Sequence, residues 1–144
     1  MTIISTFSKL RLWLASPAVF GSISQKIPGQ WHLYEYYRDW NEELLHIEEP
    51  ELKEKAEFMA LTFTGDEKFS ITACLPVPFL LPRKQGIWHV HRNFISLVDA
   101  DDFRATVEFQ FAFEKDTLKL LKKDERGRIE FFGFFRQTDV SEVS

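Results

Sequence analysis

The sequence predicts an all-β chain: an eight-stranded antiparallel up-and-down barrel preceded by a short N-terminal helix. Three observations carry this. Residues 86–136 read GIWHVHRNFISLV, ATVEFQFAFEKDTLKLLKKD and RIEFFGFFR, runs in which apolar and polar residues alternate; successive side chains of a strand leave on opposite sides, so each run marks one buried face. Short turns or loops separate the runs, with no helix of the length that a parallel crossover needs. Finally, the chain holds 15 phenylalanines, 4 tryptophans and 3 tyrosines, rings that pack well on a pleated surface.

The length of 144 residues suits one domain with its own core. A net charge of -4 and a pI near 5.6 supply no basic footprint for nucleic acid and little attraction to an anionic membrane. Cys74 stands alone, so neither an internal disulfide nor a structural zinc site can form, which suits a reducing cytosol. The longest uncharged stretch, residues 12–25, is broken by Ser16-Pro17 and falls short of the roughly 20 residues that span a bilayer. No integral membrane helix is expected. Lys9 and Arg11 ahead of apolar residues 12–20 follow the order of a secretory leader, but no small-x-small cleavage site closes it. The expected localisation is cytoplasmic, with export as the alternative.

Residues 1–28 form an N-terminal segment and linker. Phe7, Leu10, Arg11 and Leu14 fall at helical spacing, with Ser5 or Thr6 as N-cap, which predicts a short amphipathic helix ending at Ser16-Pro17. The barrel proper spans residues 29–137. Its first strand, residues 31–38, puts Trp31, Leu33, Glu35 and Tyr37 on one side and His32, Tyr34 and Tyr36 on the other; both faces carry rings, so the inner one stays open. Residues 40–57 read as an acidic connection, with a turn or two of helix where Pro50 takes a first helical position.

Residues 58–64 and 68–75 form a hairpin about Gly65-Asp66, with Met59, Leu61 and Phe63 matching Phe69, Ile71, Ala73 and Leu75 in parity. Cys74 falls on the polar parity, as a surface thiol. Three prolines make residues 76–84, PVPFLLPRK, a loop; its Val77, Phe79, Leu80 and Leu81 must cover the barrel mouth, the N-terminal segment or a second subunit. Residues 87–91 and 94–98 pair through Arg92-Asn93, which sets Trp88 opposite Leu97, His89 opposite Ser96, Val90 opposite Ile95 and His91 opposite Phe94. Trp88, Val90, Ile95 and Leu97 then face inward, and His89, His91 and Ser96 outward. In the next strand Val107, Phe109, Phe111 and Phe113 share the buried face. Turns follow near Lys115-Asp116 and at residues 124–127, and residues 138–144 are a tail expected to fray. Eight meandering strands, each with one apolar face, are best satisfied by closing on themselves, which removes both exposed edges.

Gly29-Gln30-Trp31 resembles the Gly-x-Trp signature of the lipocalins and the wider calycin superfamily. The chain is most similar to the short bacterial lipocalin-like domains. There, a long first connection leads to a Leu-x-Phe…Gly strand, here Leu61-Thr62-Phe63-Thr64-Gly65, then to a Gly-x-Trp/Tyr strand, here Gly86-Ile87-Trp88. A strand ending before Thr117-Leu118-Lys119-Leu120 completes the pattern. The resemblance covers about residues 28–137. It implies that the signature tryptophan, Trp31, packs at the closed end of the barrel against a cation from the last strand, matched here by Arg136.

A barrel of eight strands either fills its interior with side chains or holds one small ligand. On the second reading the chain is a lipocalin-like binding protein for a small hydrophobic or amphipathic molecule. Its cup is lined by Trp31, Met59, Leu61, Phe63, Phe69, Ile71, Trp88, Val90, Phe109, Phe111 and Phe113, with residues 79–81, Phe79 foremost, at the mouth. The alternative is an interaction protein with a filled barrel that binds a partner or a twin subunit through the apolar 77–81 loop and the outward aromatics of residues 129–135; Phe7, Leu10, Trp13 and Leu14 are the local candidates for covering that face. An enzyme ranks last, since the sequence holds no nucleophile elbow, phosphate loop or paired-cysteine motif, and Asp99, Asp101 and Asp102 read as turn residues. His89 and His91 could share a metal across one strand face, but both point outward and no third ligand is placed. Residues 129–136 offer no axial haem ligand. No metal and no cofactor are expected.

Overall fold

The computed structural model of the chain describes residues 26–80 and 82–138. The expected N-terminal helix, Leu81 and the tail from residue 139 lie outside the described residues. Among the described residues the strands are β1 (Gly29–Trp40), β2 (Glu43–Ile47), β3 (Phe58–Phe63), β4 (Lys68–Cys74), β5 (Arg83–His91), β6 (Phe94–Asp99), β7 (Val107–Glu114), β8 (Thr117–Lys123) and β9 (Ile129–Gln137), with a short helix, α1 (Glu49–Glu54), and a 3-10 turn at Phe103–Ala105. Neighbours pair antiparallel in the order β2-β1-β3-β4-β5-β6-β7-β8-β9, and β1 also pairs β9. That last pairing closes β1 and β3–β9 into an eight-stranded up-and-down barrel, the architecture that the sequence predicts. Among the described residues no helix is long and apolar enough to cross a membrane.

β2 corrects the sequence reading, which took residues 40–57 for a connection with no strand. Residues 43–47 pair with residues 36–40 of β1. The turn between them is Asn41-Glu42, both at positive φ, 48° and 68°. Such a turn matches the twist of a tight hairpin, but without glycine it gives a faint signal, and the five residues that follow hardly alternate. Further on, α1 has Pro50 in its first turn and buries Leu52, as expected.

β1 itself explains why rings lie on both its faces. Its register against β9 shifts between Leu33 and Glu35, a bulge that inserts one residue and reverses the parity beyond it. Trp31 and Leu33 are buried before the bulge and Tyr36 after it. Gly29, which opens β1, has φ at +141°, where a side chain is strained. The β5–β6 ladder has the predicted register: Trp88 opposite Leu97, His89 opposite Ser96, Val90 opposite Ile95 and His91 opposite Phe94.

The two barrel ends differ in construction. One carries the tight turns β3–β4, β5–β6 and β7–β8; Glu67, Arg92 and Lys115 sit there at positive φ, from 55° to 66°. The other carries the longer β4–β5, β6–β7 and β8–β9 connections. In the β4–β5 connection, residues 75–80 fold over this second end as a strap, with Val77 buried and Leu75, Phe79 and Leu80 packed against the core. Of the surfaces that this loop was expected to cover, it meets the barrel mouth. Strand β5 begins at Arg83, so the loop is shorter at its far end than the sequence suggests.

Candidate functional site

The residues expected to line the cup converge in one core. Trp31, Met59, Leu61, Phe63, Phe69, Ile71, Trp88, Phe109 and Phe111 are buried in a single cluster, and Phe79, Val90 and Phe113 pack against it partly exposed. They touch one another: ring centroids lie 5.6 Å apart for Phe63 and Trp88, 5.7 Å for Trp31 and Phe113, and 6.0 Å for Phe79 and Phe109. Tyr36, Phe131 and Phe135, which sequence reasoning did not place inside, are fully buried in the same cluster. Phe131 and Phe135 were hidden because β9 is apolar on both faces, so its alternation is masked; Tyr36 was hidden by the bulge.

At the hairpin end two indoles fasten the chain. Trp31 Nε1 donates to the Ile27 carbonyl at 2.8 Å, and Trp88 Nε1 donates to the Thr64 carbonyl at 3.1 Å. Arg136 does not pack against Trp31, contrary to what the resemblance implies. In the β1–β9 ladder Arg136 stands opposite His32 while Trp31 stands opposite Gln137, so the arginine belongs to the outer face and the indole to the inner one. The guanidinium carbon of Arg136 lies 4.3 Å from the Tyr34 ring centroid, and its Nη1 donates to Glu49 Oε2 at 3.2 Å.

The strap end holds a feature that sequence reasoning missed. Arg38 and Lys122 each stand opposite Phe131, in the β1–β9 and β8–β9 ladders, and Lys84 stands opposite Ile71. Residues directly opposed in an antiparallel pair share a face, and Phe131 and Ile71 are core. All three cations therefore occupy inward-facing positions at the mouth. Parity could have found Lys122, two residues beyond inward Leu120; the bulge concealed Arg38, and the neighbouring prolines concealed Lys84.

Each cation has its own surroundings. Lys84 is only 7% exposed, and its Nζ donates to the Ala105 carbonyl. Burial lowers its pKa, partly offset by Asp99 and Asp102. Lys122 Nζ lies 4.9 Å from the Phe79 ring centroid and donates to Glu130 Oε2 at 2.9 Å. Arg38 has its guanidinium carbon 5.1 Å from the Trp40 ring centroid, and its Nε is, among the described residues, a buried side-chain nitrogen with no hydrogen-bond partner. Beneath it the Tyr36 hydroxyl donates to Glu57 Oε1 at 3.2 Å. Burial first, then the Glu57 charge, push this phenol well above its ordinary value, so it stays a protonated donor at neutral pH.

A cleft of about 460 Å³ opens here, lined by Arg38, Asp39, residues 76–79, Lys122, Asp124 and Glu130. Its carboxylates are engaged. Asp39 lies 3.6 Å from Arg128 Nη2, Glu130 accepts from Lys122, and Asp124 accepts from the backbone N–H groups of Arg126 and Arg128.

Outside the barrel, His89, His91 and Cys74 are exposed. The outer sides of β8 and β9 bury Leu121, Ile129 and Phe132, with Tyr37, Leu44 and Phe134 packed beside them. Tyr37 stacks on His46 at 4.2 Å, and His46 Nε2 lies 2.8 Å from Glu35 Oε2. The candidates for covering this face, Phe7, Leu10, Trp13 and Leu14, lie outside the described residues.

No family model matches the chain, and no curated protein matches it. Solved structures similar to it include a lipocalin-like protein from Bacteroides uniformis, at 14% identity and a TM-score of 0.48, covering 78% of this chain and 99% of that one. An uncharacterized protein from Bacteroides eggerthii is similar at 13% identity and a TM-score of 0.46, again over 78% of this chain and 99% of the other.

Proposed function

We propose that the chain is a binding protein of the lipocalin-like type, which takes a small hydrophobic or amphipathic molecule at the strap end of the barrel. One observation carries the reading. The strap closes that end with an irregular segment whose Phe79 and Leu80 are only partly buried, whereas the opposite end is held by tight hairpins and two indole hydrogen bonds. An apolar ligand body would replace Phe79 against Phe109 and Phe131, whose rings Phe79 now meets edge-on at 6.0 Å. Because these rings are packed, binding requires the strap to swing outward, and an apolar occupant restores the burial that is lost. The proposed action is binding without turnover. The exposed, unpaired Cys74 suits a reducing compartment, and the cytoplasm is proposed.

Native mass spectrometry of the protein purified from its own host tests this, with a co-purified small molecule as the expected result. Tryptophan emission, with Trp40 beside Arg38 at the mouth, supplies a titration readout against fatty acids and retinoid-like probes. Saturable quenching is expected. The absence of both signals would overturn the reading.

A second reading makes the outer face the working surface, with the barrel filled. The partly exposed Leu44 and Phe134, packed beside the buried outer residues of β8 and β9, favour it. Concentration-dependent sedimentation, expected to show a dimer if a twin subunit is the partner, tests it.

A further inference from the structure

We infer that the strap-end cleft receives the anionic head of an amphipathic ligand, held by Arg38 and Lys122, while its apolar tail takes the place of Phe79. This rests on the binding reading above and adds the chemical class of the ligand. The register is the first support. Arg38 and Lys122 stand on the two strands that flank β9, each opposite Phe131 and on its inward side. Two strand spacings separate their backbones by roughly 10 Å, so both long side chains can converge on one head group above the Phe131 ring.

Chemistry is the second support. A guanidinium is a rigid fork that matches carboxylate and phosphate oxygens, and charge-assisted hydrogen bonds of this type are the strong ones. Arg38 keeps a buried Nε–H uncommitted, and a buried donor without a partner is costly until something accepts from it. The carboxylates that share the cleft are already engaged: Asp39 by Arg128, Asp124 by backbone N–H groups, Glu130 by Lys122. A cationic guest would have to break those bonds, whereas an anionic one takes the free Arg38 Nε–H and shares Lys122 with Glu130 and the rest of the Arg38 fork with Tyr36. Lys84 stays outside the grip, since it donates to the Ala105 carbonyl with Asp99 and Asp102 nearby.

The contact of Lys122 with Phe79 couples head to tail. Its ammonium sits 4.9 Å from the ring centroid, so an anion that draws Lys122 away removes a cation–π contact holding the strap down. The head group thereby loosens the plug that its tail must displace.

The test uses the full chain, titrated with dodecanoate, dodecyl phosphate, dodecanol and dodecylammonium below their micellar concentrations and followed by tryptophan emission. Wild type is expected to bind at least one of the two anions about tenfold or more tighter than the alcohol. The two anions separate a fatty carboxylate from a phosphate head. Arg38→Met is expected to abolish the preference of anion over alcohol. Arg38→Lys, which keeps the charge and guards against a folding defect in the first variant, should retain part of it, and Lys122→Met should lose part. Equal affinity for anion and alcohol in wild type, or an anion preference that survives in Arg38→Met, would overturn the head-group assignment and leave the binding reading standing. Tighter binding of dodecylammonium would do the same. Failure of all four probes would overturn both.

Discussion

The indole nitrogen of Trp31 donates to the carbonyl of Ile27 at 2.8 Å, and both residues are buried at the hairpin end of the barrel. Replacing Trp31 by Phe strips that carbonyl of its donor and opens a gap beside Phe113. A loss of about 2–4 kcal/mol in urea unfolding is expected. Arg136→Ala should change stability by no more than about 1 kcal/mol, because its contacts with Tyr34 and Glu49 lie in solvent. Equal effects from the two substitutions would contradict the assignment of Trp31 to the inside and Arg136 to the outside.

Gly86 is a matter of space. A Cβ built there would lie 1.8 Å from the Val98 carbonyl oxygen, and backbone cannot step aside as a side chain can. Gly86→Ala should therefore lower stability by about 1–3 kcal/mol or more through overpacking. At Gly65 nothing lies within 4 Å, and Gly65→Ala should stay within about 0.5 kcal/mol. Thermal melts of the two variants side by side check the contrast.

Tyr36 sets an alkaline limit. Its phenol, raised above an ordinary value of 10.0 by burial and by Glu57, stays protonated in the folded chain at a pH where the unfolded chain releases that proton. Between the two values the unfolded state binds fewer protons, so its contribution is complete below pH 10 and drains away as pH rises further. Urea midpoints measured from pH 8 to above 10 should fall more steeply in wild type than in Tyr36→Phe; identical slopes would contradict it.

Asp99 and Asp124 act on the acid side. Each carboxylate accepts backbone N–H bonds within its own turn, which lowers its pKa. Their contribution is present above the ordinary aspartate value and lost as pH falls through the lowered one. The double variant Asp99→Asn, Asp124→Asn keeps an acceptor oxygen in each turn and removes the titration. Its melting temperature should vary less than that of wild type between pH 5 and pH 2.

Phe79→Ala separates plug from wall. The ring meets Phe109 and Phe131 edge-on but is only partly buried, so its removal should cost about 1–2 kcal/mol. The same variant should bind an apolar probe faster than wild type in stopped-flow fluorescence, because the segment that must move is held less firmly. A slower or unchanged rate would argue against entry beneath the strap.

Much of the wall was legible because its strands are half-buried, and half-burial writes itself as alternation. β4, β5 and β7 follow that pattern, and the β5–β6 ladder has the register that its two-residue turn implies. Legibility failed where something broke the period. The extra residue in β1 turned Tyr36 and Arg38 inward against the count, and β9 buries Phe131 and Phe132 on opposite sides. β2 was missed because its turn is built without glycine. The cationic mouth was obscured for a related reason: a charge at an inward position reads as the end of a strand unless the ladder is known. The core residues could be named from parity, but whether they line a space or fill it depends on how the strap lies, which no periodicity records.

The closing seam between β1 and β9 has one more consequence. Thr138 N–H donates to the Gln30 carbonyl at 2.8 Å, and Gln137 Nε2 donates to the Pro28 carbonyl at 3.3 Å, so the entry to the wall and the exit from it lie side by side. A few-residue linker joining residues 28 and 138 would span that gap. The chain could then be cut afresh between Arg92 and Asn93, giving a circular permutant of residues 28–138 in which every ladder survives, although it lacks Ile27 and the carbonyl that accepts from Trp31.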